Sequence, residues 1–268
     1  MRILVLQHER VGHPGRFRSL LGAAGHEWQT VVLDEGETLP PLDRFDALWV
    51  MGGPMDVWQE DAHPWLTAEK ALIREAVSAR GMPYLGICLG HQLLADALDG
   101  NVGAAAQPEI GLHSVSLSAE GRNAPVAALG LRFEAFQWHS AEVLTPPPGA
   151  RVLARSPACA VQALQWGSCA LSVQFHPEID IGTLHDWNAH PRAPGGLDRT
   201  VGAARVAELR TEIDAAEARL DALALGLWQA WRNLLAGGAP ARPERPDTMR
   251  TERPESVPRI QRIRPPTG

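Results

Sequence analysis

Over its first hundred residues the chain alternates short, mostly apolar runs with stretches of helical spacing, and this alternation constrains the fold more than any other feature. The apolar runs are residues 3–7, 28–33, 45–51 and 84–87. Helical spacing covers 16–24, which stops at Gly25, and 65–80, which is closed by Gly81 with Pro83 beyond it; a further helix is predicted over 92–98. Short runs that are apolar on both faces suit strands covered on both sides. Helices between successive strands carry the chain back so that the strands pair in parallel. The fold class is therefore α/β. From about Glu109 the texture changes to short strands (114–117, 142–144, 152–154, 160–166 and 169–174) separated by turn residues such as Pro146-Pro147-Pro148-Gly149. That pattern predicts a mixed sheet, or a small antiparallel layer appended to the parallel one.

A third region begins near Thr200. Val206, Leu209, Ile213, Ala216, Leu220, Leu223 and Leu227 recur at alternating intervals of three and four, a narrow apolar seam on one long helix. Its partner is either the globular body or a second copy of the chain, which would make a homodimer. Residues 237–268 hold seven Pro, seven Arg and no aromatic residue, a composition that cannot build a core and reads as disordered. This tail carries a charge of +3, which leaves −9 on the other 236 residues. An acidic body argues against a nucleic-acid-binding face, since phosphate contact needs clustered cations. No apolar run approaches the ~18 residues of a membrane span. The opening strand-like run is too short for a signal peptide. Three cysteines make no disulfide framework, so the expected setting is the reducing cytoplasm.

The strongest local signal is Tyr84-Leu-Gly-Ile-Cys-Leu-Gly-His-Gln92. Gly86-x-Cys88-x-Gly90 stands where a buried strand hands over to a helix, the sequence form of a nucleophile elbow. The flanking glycines permit a sharp turn, and the helix N-terminus favours negative charge on the sulfur. A cysteine nucleophile needs a base, and the base an orienter. Val173-Gln-Phe-His176-Pro-Glu178, directly after an apolar strand, supplies both. The alternative for Cys88 is a buried structural cysteine, the commoner fate of a free thiol.

Together with Met51-Gly-Gly-Pro-Met-Asp56, these segments resemble the class I glutamine amidotransferase family, with its Cys-His-Glu triad. The motifs run in the family's order from Met1 to about Ile181. Pro108-Glu-Ile-Gly111 and Gln137-Trp-His-Ser140 look most like its stand-alone branch. The resemblance implies a flavodoxin-like three-layer sandwich around a mostly parallel sheet, extended here by a C-terminal helix. It implies a catalytic domain over 1–185; beyond the reach of the family motifs, the seam and the composition mark a linker and long helix over 186–236 and the tail over 237–268. It further implies Cys88, His176 and Glu178 as the catalytic residues and the backbone of Gly53 and Leu89 as the oxyanion hole. Gly52, Gln92, His139 and Ser140 would contact the substrate, although Gln92 could equally cap the first turn of its helix. Asp56 and Trp58 would border the entrance.

His91 is expected to pack on its helix, and Cys159 and Cys169 to be buried structural residues. No metal is expected, because His139 has no second ligand at metal spacing. No cofactor is expected either, since neither a P-loop nor a Gly-x-Gly-x-x-Gly pattern occurs. The function implied is release of ammonia from glutamine through a γ-glutamyl thioester, for a separate synthetase. The same triad would also serve a stand-alone γ-glutamyl peptidase. A non-catalytic regulatory protein would instead predict a damaged triad.

Overall fold

The computed structural model of the chain describes residues 1–189 and 197–238. The tail beyond 238 and the centre of the predicted linker, residues 190–196, lie outside the described residues. Among the described residues nine strands form one sheet: β1 (Arg2–Gln7), β2 (Glu27–Val32), β3 (Ala47–Val50), β4 (Tyr84–Ile87), β5 (Asn101–Leu117), β6 (Arg132–Thr145), β7 (Ala150–Arg155), β8 (Ala163–Trp166) and β9 (Ala170–Val173). The strand order is β2-β1-β3-β4-β9-β8-β7-β5-β6. Between and after them lie α1 (Phe17–Ala23), α2 (Trp65–Arg74, running on into a π turn), α3 (Leu89–Ala97), α4 (Ala119–Arg122), α5 (Ile181–Ala189), α6 (Leu197–Val201) and α7 (Ala203–Gly238).

The two faces of the sheet bury separate cores, as the alternation of side chains along a strand requires. Ile3 and Val5 of β1 pack with α1, α5 and α7 on one face. Leu4 and Leu6 pack with α2 and α3 on the other. The three-layer α/β architecture is as expected, but the sheet is not mostly parallel. β2, β1, β3, β4 and β9 pair in parallel, whereas β9, β8, β7, β5 and β6 pair antiparallel, and the antiparallel strands continue the sheet instead of forming a separate layer. The reason lies in the connections. Parallel neighbours need a crossover of about a dozen residues or more. β7, β8 and β9 follow one another through short connections, which permit only reversal, and β5 then pairs antiparallel with both β7 and β6.

β5 and β6 are far longer than the predicted 114–117 and 142–144. The first part of β5, Asn101 to Gln107, has almost no large apolar side chain, and its ladder with β6 is interrupted by bulges. Backbone pairing extends this strand, so hydrophobic pattern does not reveal it.

All seven seam residues of α7 are buried, and they join the core formed with α1 and α5. The globular body is therefore the partner of the seam. Trp228 and Trp231 extend the contact: Trp231 meets Trp49 of β3 edge-to-face at 5.2 Å, and its indole N–H donates to the Tyr84 carbonyl at 3.1 Å. No helix among the described residues is long and apolar enough to cross a membrane.

Candidate active site

Four parallel strands end side by side, and the residues just past their carboxyl ends converge. His8 follows β1, Gly52 and Gly53 follow β3, Cys88 follows β4, and His176 and Glu178 follow β9. In open α/β sheets this edge is where a crevice forms. Here it is a cavity of about 420 Å³ lined by Gly52, Gly53, Cys88, Gln92, His176 and Glu178 on one side. Pro108, Ile110, Trp138, His139, Ser140 and Trp187 line the other side.

Cys88 has φ +52° and ψ −104°, a conformation that costs an L-residue about 1–3 kcal/mol and persists only when its surroundings impose it. Those surroundings are visible. The Cys88 N–H donates to Val173 O at 2.8 Å, and the Gly90 N–H to Met51 O at 3.2 Å. The Tyr84 hydroxyl donates to Gly90 O at 2.7 Å. A Cβ on Gly90 would lie 2.1 Å from Val50 O, and one on Gly86 would lie 2.6 Å from Gly90 O. Both glycines are thus demanded by close backbone approach as well as by the turn. Leu89 opens α3, so its N–H belongs to the first turn, where N–H groups have no partner within the helix.

His176 is buried, and its Nδ1–H donates to Glu178 Oε1 at 2.8 Å. Burial by itself would lower the pKa of the ring, but Glu178 and then Cys88 outweigh it and push it up to about 10. The second nitrogen, Nε2, and Glu178 Oε2 are buried without a hydrogen-bond partner. Buried polar atoms left unpaired in a native fold call for an explanation, and here both belong to one His-Glu pair beside a strained cysteine. Gly52 lies against both side chains: a Cβ there would lie 3.2 Å from His176 Cε1 and 3.5 Å from Cys88 Cβ. Trp187 packs its ring on His176 at 4.9 Å and donates its indole N–H to Val11 O at 3.0 Å.

The predicted residues are therefore gathered around one cavity, with differences in detail. Gln92 lines it, but its amide nitrogen donates to Ala141 O at 3.0 Å and to Gln174 Oε1 at 3.1 Å, which ties α3 to β6 and to the segment after β9. Gln174, which no motif singled out, also donates to Cys88 Sγ at 3.6 Å. Asp56 lines the cavity, whereas Trp58 is not among its lining residues and is largely exposed. His91 is wholly buried, and burial outweighs its hydrogen bonds to Ser172 and Val161 O and keeps its ring neutral with a pKa of about 3.

His139 has the company that its sequence neighbourhood did not show. Its Nε2 meets Glu109 Oε2 at 3.2 Å, and Cys159 lies close by; the three ligand atoms fall within 4.8 Å of one another. These donors could hold a metal, but they are also fully engaged within the protein. His139 Nδ1 donates to Ala141 O, and Glu109 accepts from Ser156 at 2.8 Å and Gln162 at 2.7 Å. The thiol of Cys159 is pushed far up by burial. The set reads as a hydrogen-bonded brace behind His139. All three cysteines are free and buried.

Sequence reasoning missed His8, Glu69, Gln174 and Trp187. Their partners lie 44 to 176 positions away, so no spacing could have revealed them.

Comparison with known proteins places this geometry in context. The family model for glutamine amidotransferase class-I matches residues 19–187. The glutamine amidotransferase-like protein YfeJ of Salmonella typhimurium is 34% identical over 201 residues, which are 71% of this chain and 81% of that protein. A glutamine-hydrolyzing GMP synthase subunit of Sulfolobus acidocaldarius is 34% identical over 152 residues, 56% of this chain and 77% of that protein. Among solved structures, a glutamine amidotransferase from Thermotoga maritima aligns over 88% of this chain and 98% of its own, with a TM-score of 0.77 at 24% identity. One from Methylobacillus flagellatus aligns over 87% and 94%, with a TM-score of 0.73 at 27% identity.

Proposed function

This chain belongs to the class I glutamine amidotransferase family of cysteine-dependent amidohydrolases, and from that premise we propose that it hydrolyses the γ-amide of glutamine on Cys88. The observation that carries the reading is the strained Cys88 at the mouth of α3, with the buried His176–Glu178 pair and Cys88 both against Gly52.

The Cys88 sulfur attacks the amide carbon. The resulting oxyanion is held by the N–H groups of Gly53 and Leu89, each such donor worth about 3–4 kcal/mol in the transition state. His176, kept protonated by Glu178, gives its proton to the departing ammonia and leaves a γ-glutamyl thioester. It then takes a proton from water, whose attack on the thioester releases glutamate. Gln92 holds the walls together and presents its carbonyl end to the substrate, while the backbone around His139 and Ser140 and the edge of Gly52 frame the pocket. Residues 1–185 carry this chemistry and α7 braces it. The reaction needs no cofactor, and the setting is the cytoplasm.

The ammonia passes to a separate synthetase, a reading supported by the relatives that are glutamine-hydrolyzing GMP synthase subunits. A second reading has its own observation. The cavity is broad and lined by Trp138, Trp187, Pro108 and Ile110, apolar surface that suits the amino-acid leaving group of a γ-glutamyl peptide. Incubating the purified chain with glutamine and with γ-glutamyl dipeptides separates the two. Dipeptide cleavage without a partner supports the peptidase. Turnover of glutamine that rises when a synthetase is added supports the ammonia donor. Full hydrolysis by Cys88→Ser would overturn both.

A further inference from the structure

A second buried His-Glu pair stands behind the glycine loop. His8, one residue past β1, is fully buried, as is Glu69 of α2. His8 Nε2 lies 3.1 and 3.2 Å from the two carboxylate oxygens of Glu69, and Nδ1 lies 3.0 Å from the carbonyl oxygen of Gly52. Both nitrogens therefore face atoms that only accept hydrogen bonds. A neutral imidazole carries one N–H and would leave one of these contacts without a proton, so the geometry calls for the doubly protonated ring. Burial lowers the pKa of His8, but Glu69, the Gly52 carbonyl and Glu9 together raise it above its ordinary value.

The carbonyl that His8 grips belongs to the Gly52–Gly53 peptide, the same unit that carries the Gly53 N–H. A trans peptide is planar, and its C=O and N–H point in opposite directions. Fixing the Gly52 oxygen against His8 therefore aims the N–H of Gly53, a residue that lines the cavity, to the side opposite His8. A hydrogen bond to the C=O also polarises the peptide and strengthens its N–H as a donor. The loop has no freedom to settle elsewhere: a Cβ on Gly53 would lie 2.6 Å from His8 Cβ.

We infer that His8, held by Glu69, is a positioning residue that orients and polarises the Gly52–Gly53 peptide as an oxyanion donor. The inference rests on the proposed thioester chemistry at Cys88 and extends it. His8 touches neither substrate nor sulfur and acts through the peptide. Neither the Cys88 nor the His176 motif contains it.

The test compares two reactions of one cysteine. Attack on glutamine builds an oxyanion, whereas alkylation of Cys88 by iodoacetamide displaces iodide at a saturated carbon and builds none. His8→Leu should lower kcat for glutamine about 10- to 100-fold with KM changed by no more than about twofold. Iodoacetamide should still label Cys88 at the wild-type rate. His8→Asn, whose amide N–H can occupy the place of Nδ1, should recover part of the loss. Wild-type turnover in His8→Leu, or an equal fall in turnover and labelling, overturns the inference.

Nitrogen-15 NMR of the wild-type ring gives a second measurement that depends on no substrate and no variant. The expected result is a proton on His8 Nδ1, the nitrogen that faces the Gly52 carbonyl; an Nδ1 without a proton overturns the inference. Absence of both glutamine turnover and Cys88 labelling in the wild type would instead mark failure of the thioester reading, and the His8 spectrum then decides the inference alone.

Discussion

The cavity has two walls, contributed by the two halves of one sheet, and different physics holds each in place. On the parallel side, Gly52, Gly53 and Cys88 are positioned by backbone packed against backbone or against His8, with no room for an added atom at Gly53, Gly86 or Gly90. On the antiparallel side, Pro108, Ile110, Trp138 and His139 sit on two long, bulged strands that are pinned by side chains converging on Glu109. In the proposed reaction the first wall holds the reacting atoms, and its packing tolerates almost no change. The second would face the rest of the substrate, and it is held by contacts that single substitutions can adjust. On that reading chemistry and specificity rest on different mechanical supports.

The largest expected effect lies on the first wall. Cys88→Ser should reduce glutamine hydrolysis by about 10⁴-fold or more, as loss of a covalent nucleophile does elsewhere, measured as glutamate release. Gly90→Ala should follow. Its new Cβ meets Val50 O at 2.1 Å, which forces backbone apart, and overpacking of this kind costs about 1–3 kcal/mol or more. Urea unfolding would read it, and wild-type stability in this variant would break the contrast between the walls.

On the second wall, Glu109→Gln should cost about 1.5–3 kcal/mol, the range for hydrogen bonds to a charged group, and should raise KM more than it lowers kcat. It also carries a pH signature. The Glu109 carboxyl is buried, but His139 and Ser156 hold its pKa below the ordinary value. Its stabilisation is therefore complete above the ordinary carboxylate range and is lost as pH falls through the lowered value. Acid unfolding of the wild type should approach that of Glu109→Gln below about pH 4.

For His176 the sign is reversed. Its raised pKa keeps the proton on through neutrality, and the basic limb of the rate profile that reports it should lie near pH 10. Glu178→Gln should move that limb to lower pH. The smallest effect belongs to the brace between walls and extension. Arg16 bonds the Ile179 carbonyl and reaches Glu217 and Asp221 of α7. Its partners are about half exposed, so Glu217→Ala should cost about 0.2–1 kcal/mol and leave kcat nearly unchanged.

The two halves were unequally legible. Mostly apolar strands with helices between them read directly as a parallel sheet, and Gly86, Cys88, Gly90, His176 and Glu178 stood out because a tight turn and a two-residue spacing are local facts. The start of β5 was hardly visible, because Asn101-Val102-Gly103-Ala104 carries no strand pattern and is held by the backbone of β6, and the ladder then breaks until Glu109. Glu109 was noticed as part of a motif, but its partners Ser156 and Gln162 lie 47 and 53 positions away. The seam of α7 was plain as a pattern but silent about its partner, since an apolar stripe is complementary to any apolar surface.

By itself, then, the sequence determined the α/β class, the elbow and the His176–Glu178 pair. These follow from hydrophobic period and short-range geometry, which a chain carries with it wherever it folds. Only the tertiary structure decided that the sheet is half antiparallel, that α7 lies on the body, and that His8 meets both Glu69 and Gly52. Those are contacts between residues far apart in the chain, chosen by how whole layers pack, and no local interval encodes them.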